Sequence, residues 1–471
     1  MTVPSAVPRG ADAASAIGQR PPAPRPLPPV RALLRMILRG EGDLLSLIPD
    51  LAYRERVLPL PLTRRGILYL NDPALVSQVL TDPEGIFPKN DLMVDAVAPL
   101  IGDAMFVSSG ATWRQQRRMI EPAFSHMRLH RAFAQMVAAV DDHERWIDDQ
   151  AARGAAYSLD AAMGHLTADV ITRTIFSTGL HEGAARDVFE AFTIFERQVA
   201  SVNVKALIFD RPWRHTPQPP AVLEACRRIR AHLDAMVAPR YAPDAPAYDD
   251  ICAAAMRAVD PDTGKTFSRE ELIDELGVFF LAGHETSASV LTWVFFLLSQ
   301  RPDVVARIRA EVAATCGDGE VTIDHAKRLP FIKAVFKETM RLYPPITFLP
   351  RVAARDTVLD GRRVKRGTML MVAPWTIHRH ERLWTDPARF DPDRFLPGRE
   401  EGIVPGAFLP FGLGPRVCVG AAFATLEAAL FIARLTRRYD FEAVDPAAVR
   451  PVARLTTRPR HEIMVRARPR R

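Results

Sequence analysis

The chain has 471 residues, 48% hydrophobic and 25% charged, which is enough apolar material for a large core and too much for a disordered protein. Its 62 Lys and Arg against 55 Asp and Glu give a formal charge of +7, but the basic residues are scattered without aromatic interleaving, which argues against a nucleic-acid surface. The four cysteines, Cys226, Cys252, Cys316 and Cys418, form no CxxC pair, so neither a disulfide framework nor a zinc site is indicated and a reducing, cytoplasmic setting fits.

In chain order, Met1 to Pro29 is rich in Pro, Ala and Arg, lacks the apolar core of a signal peptide, and reads as a disordered arm ahead of one domain over residues 30–471. Val30 to Leu51 is amphipathic but interrupted by Gly40 and Gly42; it reads as a surface helix, with peripheral membrane contact as the alternative. Ile67 to Leu70 is strand-like, and Asp91 to Asp103 reads as a loop. Helical patterns then dominate from Gly110 to Tyr343, where Pro344 and Pro345 end them.

One of these helices is unusually long. Ser268 and Glu271 have capping-box spacing, and no breaker follows until Arg301-Pro302, so the helix is predicted to run to Gln300. It is apolar on nearly every face from Gly277 to Leu298. His284 and Glu285 at its middle would be expensive in lipid, so it is predicted to be a buried core helix and not a membrane span. Strand patterns return from Arg351 to Val372, with Asp360-Gly361 supplying a hairpin turn. A last apolar-periodic helix is predicted from about Ala421 to Tyr439. The expected fold is mainly α with a small β region.

Just before that last helix stands Phe411-Gly412-Leu413-Gly414-Pro415-Arg416-Val417-Cys418-Val419-Gly420. Three glycines let the backbone turn tightly and approach a flat ligand. Cys418 would sit at a helix entrance, where backbone N–H groups can stabilise a thiolate. An isolated cysteine there would be read as packing; the Phe, Gly, Arg, Cys and Gly at fixed offsets argue for a ligand. This segment resembles the haem-binding signature of the cytochrome P-450 superfamily, through Phe411, Gly414, Arg416, Cys418 and Gly420, and the likeness extends from about Leu33 onward.

The resemblance implies a fold with a long central helix over a buried haem b, with Cys418 as the axial ligand to iron. Thiolate ligation of this kind favours O–O cleavage. It further implies that Trp113, Arg117, Arg351, Phe411, Gly412, Arg416 and Gly420 contact the cofactor, the arginines reaching its propionates because a guanidinium is bidentate and always charged. His378 and Lys89 are weaker candidates for that anionic edge. Glu338 and Arg341, at i and i+3 on one helical face, together with Arg394 of Pro392-Asp393-Arg394-Phe395, take a structural role.

By the same resemblance, Glu285 and Thr286 form an acid–alcohol pair in the long helix. Thr286 would steady the oxygen intermediate and Glu285 would relay protons, while Gly283 would leave room for the cofactor or O₂. Without the family, Thr286 would be read as bonding back to the i−4 carbonyl. Phe279, Phe280, Ala282, Gly283, Thr347, Phe348, Leu455 and Thr456 would line a mostly apolar pocket, closed on one side by the 91–103 loop.

The expected function is a monooxygenase inserting one oxygen atom from O₂ into a hydrophobic small molecule such as a lipid, terpenoid, steroid-like compound or polyketide. The chain ends about fifty residues past Cys418, so electrons are expected from a separate ferredoxin or flavodoxin with its reductase. Arg114, Arg118, Arg434, Arg437 and Arg438 are candidates for docking that acidic partner. The alternatives are a haem-thiolate isomerase, dehydratase or peroxygenase, and a non-catalytic haem sensor or carrier. Glu285 and Thr286 favour the monooxygenase.

Overall fold

The computed structural model describes residues 18–39, 43–60, 64–124, 126–180, 183–199, 213, 218–453 and 455–470. The first half carries helices α1 (Pro29–Arg39), α2 (Pro73–Thr81), α3 (Asp91–Ile101), α4 (Gly110–Ile120), α5 (His126–Ala152), α6 (Leu159–Phe176), α7 (Gly183–Val199), α8 (Pro220–Val237) and α9 (Ile251–Met256). Then come α10 (Arg269–Ser299), α11 (Pro302–Cys316), α12 (Ile323–Lys327), α13 (Pro330–Leu342), α14 (Pro374–Ile377) and α15 (Ala421–Arg438).

Short strands flank this helical body. A four-stranded sheet joins β1 (Val57–Leu60) and β2 (Ile67–Leu70) to β7 (Met369–Val372) and β4 (Leu349–Val352), in the order β1-β2-β7-β4. Its β2 and β7 run parallel, Leu68 opposite Leu370, so residues 302 apart in sequence share one sheet. β3 (Tyr157–Ser158), β11 (Met464–Pro469) and β8 (Tyr439–Ala443) form a second sheet, and β9 (Pro451–Ala453) pairs with β10 (Thr457–Pro459). The Asp360-Gly361 turn connects β5 (Thr357–Leu359) to β6 (Arg362–Val364), both turn residues at positive φ (50° and 70°) as a type I′ hairpin requires.

Helix α10 starts as its sequence predicts. The Ser268 hydroxyl accepts the Glu271 N–H (3.2 Å) and the Glu271 carboxylate accepts the Ser268 N–H (2.8 Å). Its 31 residues span roughly 46 Å at ~1.5 Å each. Among the described residues it is the one helix long and apolar enough to cross a membrane, and 83% of its most apolar window is buried inside the protein. The packing of α10 on α6 is close: Thr167 on α6 donates its hydroxyl to the His284 carbonyl at 3.1 Å.

Two expectations are corrected here. Residues 91–101 are a helix and not a loop: the Asn90 side chain accepts the Leu92 N–H (3.0 Å) and Gly102, at φ 51°, ends it. Pro99 is accommodated in its last turn. Part of the supposed disordered arm is docked. The Tyr343 hydroxyl donates to the Pro22 carbonyl (2.8 Å), Phe390 N–H to Gln19 O (2.9 Å) and Asp50 N–H to Leu27 O (2.9 Å). Residues 1–17, the rest of that arm, lie outside the described residues.

Candidate active site

Cys418 lies between a short 3-10 turn, Gly414–Arg416, and the start of α15. Its N–H donates to the Phe411 carbonyl at 2.9 Å, closing the loop on itself. Gly412 and Gly414 hold φ of 79° and 75°, and a Cβ on Gly414 would come within 3.0 Å of the Leu80 carbonyl at the end of α2. Only glycine meets both demands there. The sulfur is solvent-accessible yet surrounded by protein, and burial pushes its thiol up. The Gly420 amide and the Arg117 guanidinium pull in the opposite direction.

Arg117 reaches this loop from α4, donating to the Val417 carbonyl at 2.8 Å. Trp113, one turn earlier, stacks under the Arg416 guanidinium at 4.5 Å. Arg416 also donates to the Ser108 carbonyl (2.8 Å), but its other terminal nitrogen is buried with no hydrogen-bond partner. Arg351, buried on β4, faces the same place, and its backbone bridges to Lys89. Burial, with repulsion from Arg351 and Arg416, holds Lys89 well below the usual lysine range; burial and repulsion from Arg416 bring Arg351 down to about 10, and burial brings Arg416 to about 10. Lys89 donates to the Phe106 carbonyl.

Three basic side chains converge, one with an orphaned buried nitrogen, and Asp82 offsets the charge of Arg351 and Arg416. Such a cluster suits a ligand carrying two carboxylates, as the propionates of a haem do. His378 belongs elsewhere: its Nε2 accepts the Leu409 N–H (3.0 Å), its ring lies by Phe408, and burial holds it as neutral imidazole with a value of about 3. It braces the scaffold.

Arg341 makes a bidentate bond to Glu338 (2.7 and 2.8 Å), both fully buried, and Arg394 stands 3.6 Å from the same carboxylate. The remaining Arg341 donors reach the carbonyls of His378, Pro387 and Arg389, and Glu338 also accepts the Asp391 N–H. A buried ion pair is tolerable only when its other hydrogen-bonding sites are filled in this way.

Along the middle of α10, Ala282, Gly283, Thr286 and Ser287 are the stretch accessible to solvent, while Phe280, His284 and Glu285 are buried. Thr286 donates to the Ala282 carbonyl at 2.5 Å, the i−4 bond that its helical position permits, leaving its oxygen lone pairs for another donor. The packing departs from expectation at three pocket positions. Phe280 stacks on Phe192 of α7 (4.4 Å) and is core. Gly283 faces α6, where an added Cβ would lie 2.3 Å from Ile171 Cδ1, so this glycine serves helix packing and not a ligand's approach. The Thr456 hydroxyl is spent on Glu285 (2.6 Å). Phe279 is buried edge-on to Phe124 and Thr347 is buried, while Phe348 and Leu455 are partly accessible.

Glu285 itself is locked. Arg458 on β10 forms a two-pronged ion pair with it, Nε at 2.9 Å, and also donates to Asp160 at 2.6 Å. Burial opposes ionisation, but Arg458, His284 and Thr456 together hold the Glu285 carboxyl down at about 2. Nothing in the local sequence marked Arg458 as this partner. Two buried acids were also missed: Glu275, whose Oε1 accepts the Met105 N–H (2.9 Å), and Glu427 on α15, which accepts the Ser287 hydroxyl (2.6 Å). Their helical spacing is that of ordinary surface glutamates.

The proposed partner face is also revised. Arg434 is buried against Glu144 (2.7 Å), Asp141 (2.8 Å) and Glu320 (3.2 Å), and Arg438 pairs with Glu144 (2.9 Å) and Asp148. Arg118 is held by Asp260 (2.9 Å) and Asp262 (3.2 Å), and Arg437 donates to the Gly319 carbonyl. Arg114 is exposed on α4. Most of these arginines therefore tie the body together.

A family model described as Cytochrome P450 matches residues 21–465. The chain belongs to the cytochrome P-450 family. It is 33% identical over 377 residues to cyclooctat-9-en-7-ol 5-monooxygenase of Streptomyces melanosporofaciens, covering 79% of each protein. It is 30% identical to pentalenene oxygenase of Streptomyces avermitilis, covering 82% of this chain and 84% of that one. A crystal structure of a variant cytochrome P450DA haem domain superposes with a TM-score of 0.77 at 26% identity, covering 88% of this chain and 90% of that one. The protein is accordingly a cytochrome P-450 monooxygenase, and the cofactor of its family is haem-thiolate.

Proposed function

We propose that this cytochrome P-450 holds haem b on Cys418 and oxygenates a terpenoid-type hydrocarbon, taking electrons from a separate ferredoxin or flavodoxin. The observation that carries the reading is the Cys418 loop. It offers an accessible sulfur, backed by the Gly420 amide and Arg117, at the entrance of α15. When bound, the haem supplies the redox chemistry that splits O₂.

The chain's own residues do the rest. Arg351, Arg416 and Lys89 would receive the carboxylates of that cofactor, which would offset their repulsion, while Trp113 and Arg117 fix Arg416 and the Cys418 loop. Phe411 and Gly412 close that loop and Gly420 opens the helix behind it, so that backbone would border the cofactor there. Ala282 and Thr286, on the accessible stretch of α10, would face the bound O₂. The Thr286 hydroxyl, already donating to Ala282, accepts a hydrogen bond from a water and so orients a proton donor. The mainly apolar walls exclude bulk water, which would otherwise divert reducing equivalents to peroxide. Support for a terpenoid comes from the names of the two Streptomyces relatives and from the absence of a charged group on the accessible stretch of α10.

The test is the absorbance spectrum of the reduced protein with carbon monoxide, beside Cys418→Ala. A strongly red-shifted Soret band that is lost in the variant is expected. An unshifted band in folded, haem-loaded protein would remove Cys418 as the thiolate ligand. Cyclic terpene alcohols and hydrocarbons that shift the resting Soret band would then identify the substrate class; a response confined to fatty acids would overturn the terpenoid reading.

A further inference from the structure

We propose that Glu275 is a positioning residue for the cofactor: it fastens the connection Asp103–Ser108 to α10, and that connection aims Lys89 and Arg416 at the cofactor's carboxylates. This deepens the haem-binding reading and rests on it. Glu275 is fully buried on the first half of α10, and its Oε1 accepts the Met105 N–H at 2.9 Å. The next carbonyl, that of Phe106, accepts Lys89, whose ammonium also lies over the Phe106 ring at 4.1 Å. The Ser108 carbonyl accepts Arg416 at 2.8 Å. Two basic side chains from separate parts of the chain are thus held by backbone oxygens of one short connection, and α10 holds that connection in turn.

The connection is tied at its other points as well. Gln116 of α4, between Trp113 and Arg117, donates to the Asp103 carbonyl (2.7 Å) and accepts the Ser108 hydroxyl (2.5 Å). Gly102 leads into it at φ 51°, so close to Asp274 of α10 that a Cβ would clash with the carboxylate. Asp274 is paired with Arg230 of α8, which also donates to the Leu100 carbonyl at 2.9 Å. Glu275 differs from its neighbour: it has no ion-pair partner among the described residues, and its Oε2 is buried with no hydrogen-bond partner. Burial, helped by Asp274, Asp103 and Glu271, pushes its carboxyl up to about 8, so at neutral pH it serves as an uncharged acceptor. Arg416 spends one terminal nitrogen on Ser108 and keeps the other, buried and unpartnered, for a carboxylate. Side chains ordered before a ligand arrives lose less freedom when it binds, so a firm connection makes these cations a tighter grip.

The experiment follows haem release from the loaded protein into excess apomyoglobin, for haem and for haem whose two carboxylates are methyl esters. It compares wild type with Glu275→Leu, Glu275→Gln and Ser108→Ala. Wild type should release the ester faster than haem. Loss of one buried hydrogen bond should speed haem release roughly threefold to tenfold in Glu275→Leu, and about threefold in Ser108→Ala, which unties Gln116. Glu275→Gln keeps an oxygen of the same reach and should release haem at the wild-type rate. With the ester, all four proteins should release at one rate, because no carboxylate remains for Lys89 and Arg416 to hold. A general loosening of the fold would instead speed both cofactors alike.

An unchanged haem rate in Glu275→Leu would overturn the proposal, as would equal acceleration of haem and ester, or a Glu275→Gln protein that behaves like Glu275→Leu. Should Glu275→Leu fail to fold, Ser108→Ala, which removes only one oxygen, decides by the same two comparisons. Equal release of haem and ester from the wild type would be a different failure: it would remove the carboxylate-binding cluster itself and the haem-binding reading on which the proposal rests.

Discussion

Arg458→Met tests the electrostatic account of the Glu285 site. Arg458, His284 and Thr456 outweigh burial and hold the Glu285 carboxyl below its ordinary value near 4.5, so folding favours its ionised form. That stability is fully present above the unfolded value and is lost as pH falls through the lowered folded value. Breaking a buried pair by removing one partner costs ~3–5 kcal/mol. Without Arg458, burial dominates and raises the Glu285 carboxyl, so the variant takes up a proton as the solution is acidified. We expect Arg458→Met to lose about 3–5 kcal/mol at pH 7, with the deficit shrinking at pH 5. Adding Glu285→Gln should restore most of the stability, because the stranded charge is then gone. Asp160, which Arg458 also meets, is partly exposed and adds little. The assay is urea denaturation of the haem-loaded proteins, followed by circular dichroism and Soret absorbance. A loss below about 1 kcal/mol at pH 7, or no recovery in the double variant, would refute the reasoning.

Gly283→Ala should cost about 1–3 kcal/mol by driving a methyl into Ile171, and Ile171→Val, which removes the Cδ1 clash but leaves Cγ1 at 2.9 Å, should return only part of it in thermal unfolding. Glu275, buried and pushed up to about 8, makes the folded state bind a proton that the unfolded chain releases near 4.5. Stability should therefore fall as pH rises from about 4.5 to about 8, and Glu275→Gln should flatten that slope in denaturation series at pH 5 and pH 8. Arg434→Ala should destabilise the protein by about 1–3 kcal/mol, because the buried Glu144 loses its two-pronged partner and keeps only Arg438, and leave reduction by a ferredoxin or flavodoxin unchanged once folding is restored. Arg114→Glu should instead leave stability within about 0.5 kcal/mol and slow reduction by an acidic partner at low salt; stopped-flow reduction at two ionic strengths separates the two.

Local patterns were enough for much of this molecule. The Ser268–Glu271 cap, the run without a breaker to Gln300 and the Asp360-Gly361 turn are short-range physics, and each is found where the sequence places it. The glycines around Cys418 and the spacing of Glu338 and Arg341 are legible for the same reason: backbone geometry and helix periodicity act within a few residues. Helix α3 was read as a loop although Asn90 supplies a local N-cap.

What only the tertiary structure decided concerns which way a side chain faces and what meets it there. One sequence, Gly283-His284-Glu285-Thr286-Ser287, sends its members to different neighbours: Gly283 to Ile171, Glu285 to Arg458, Ser287 to Glu427, and Thr286 back to its own helix. The partners are 112, 173 and 140 residues away along the chain. Likewise, Arg434 and Arg114 look alike in sequence, yet one is consumed by buried carboxylates and the other is left at the surface. Charge and burial act through space at a few ångströms, so an acid's proton, a glycine's purpose and an arginine's availability are settled only when distant segments have been brought together.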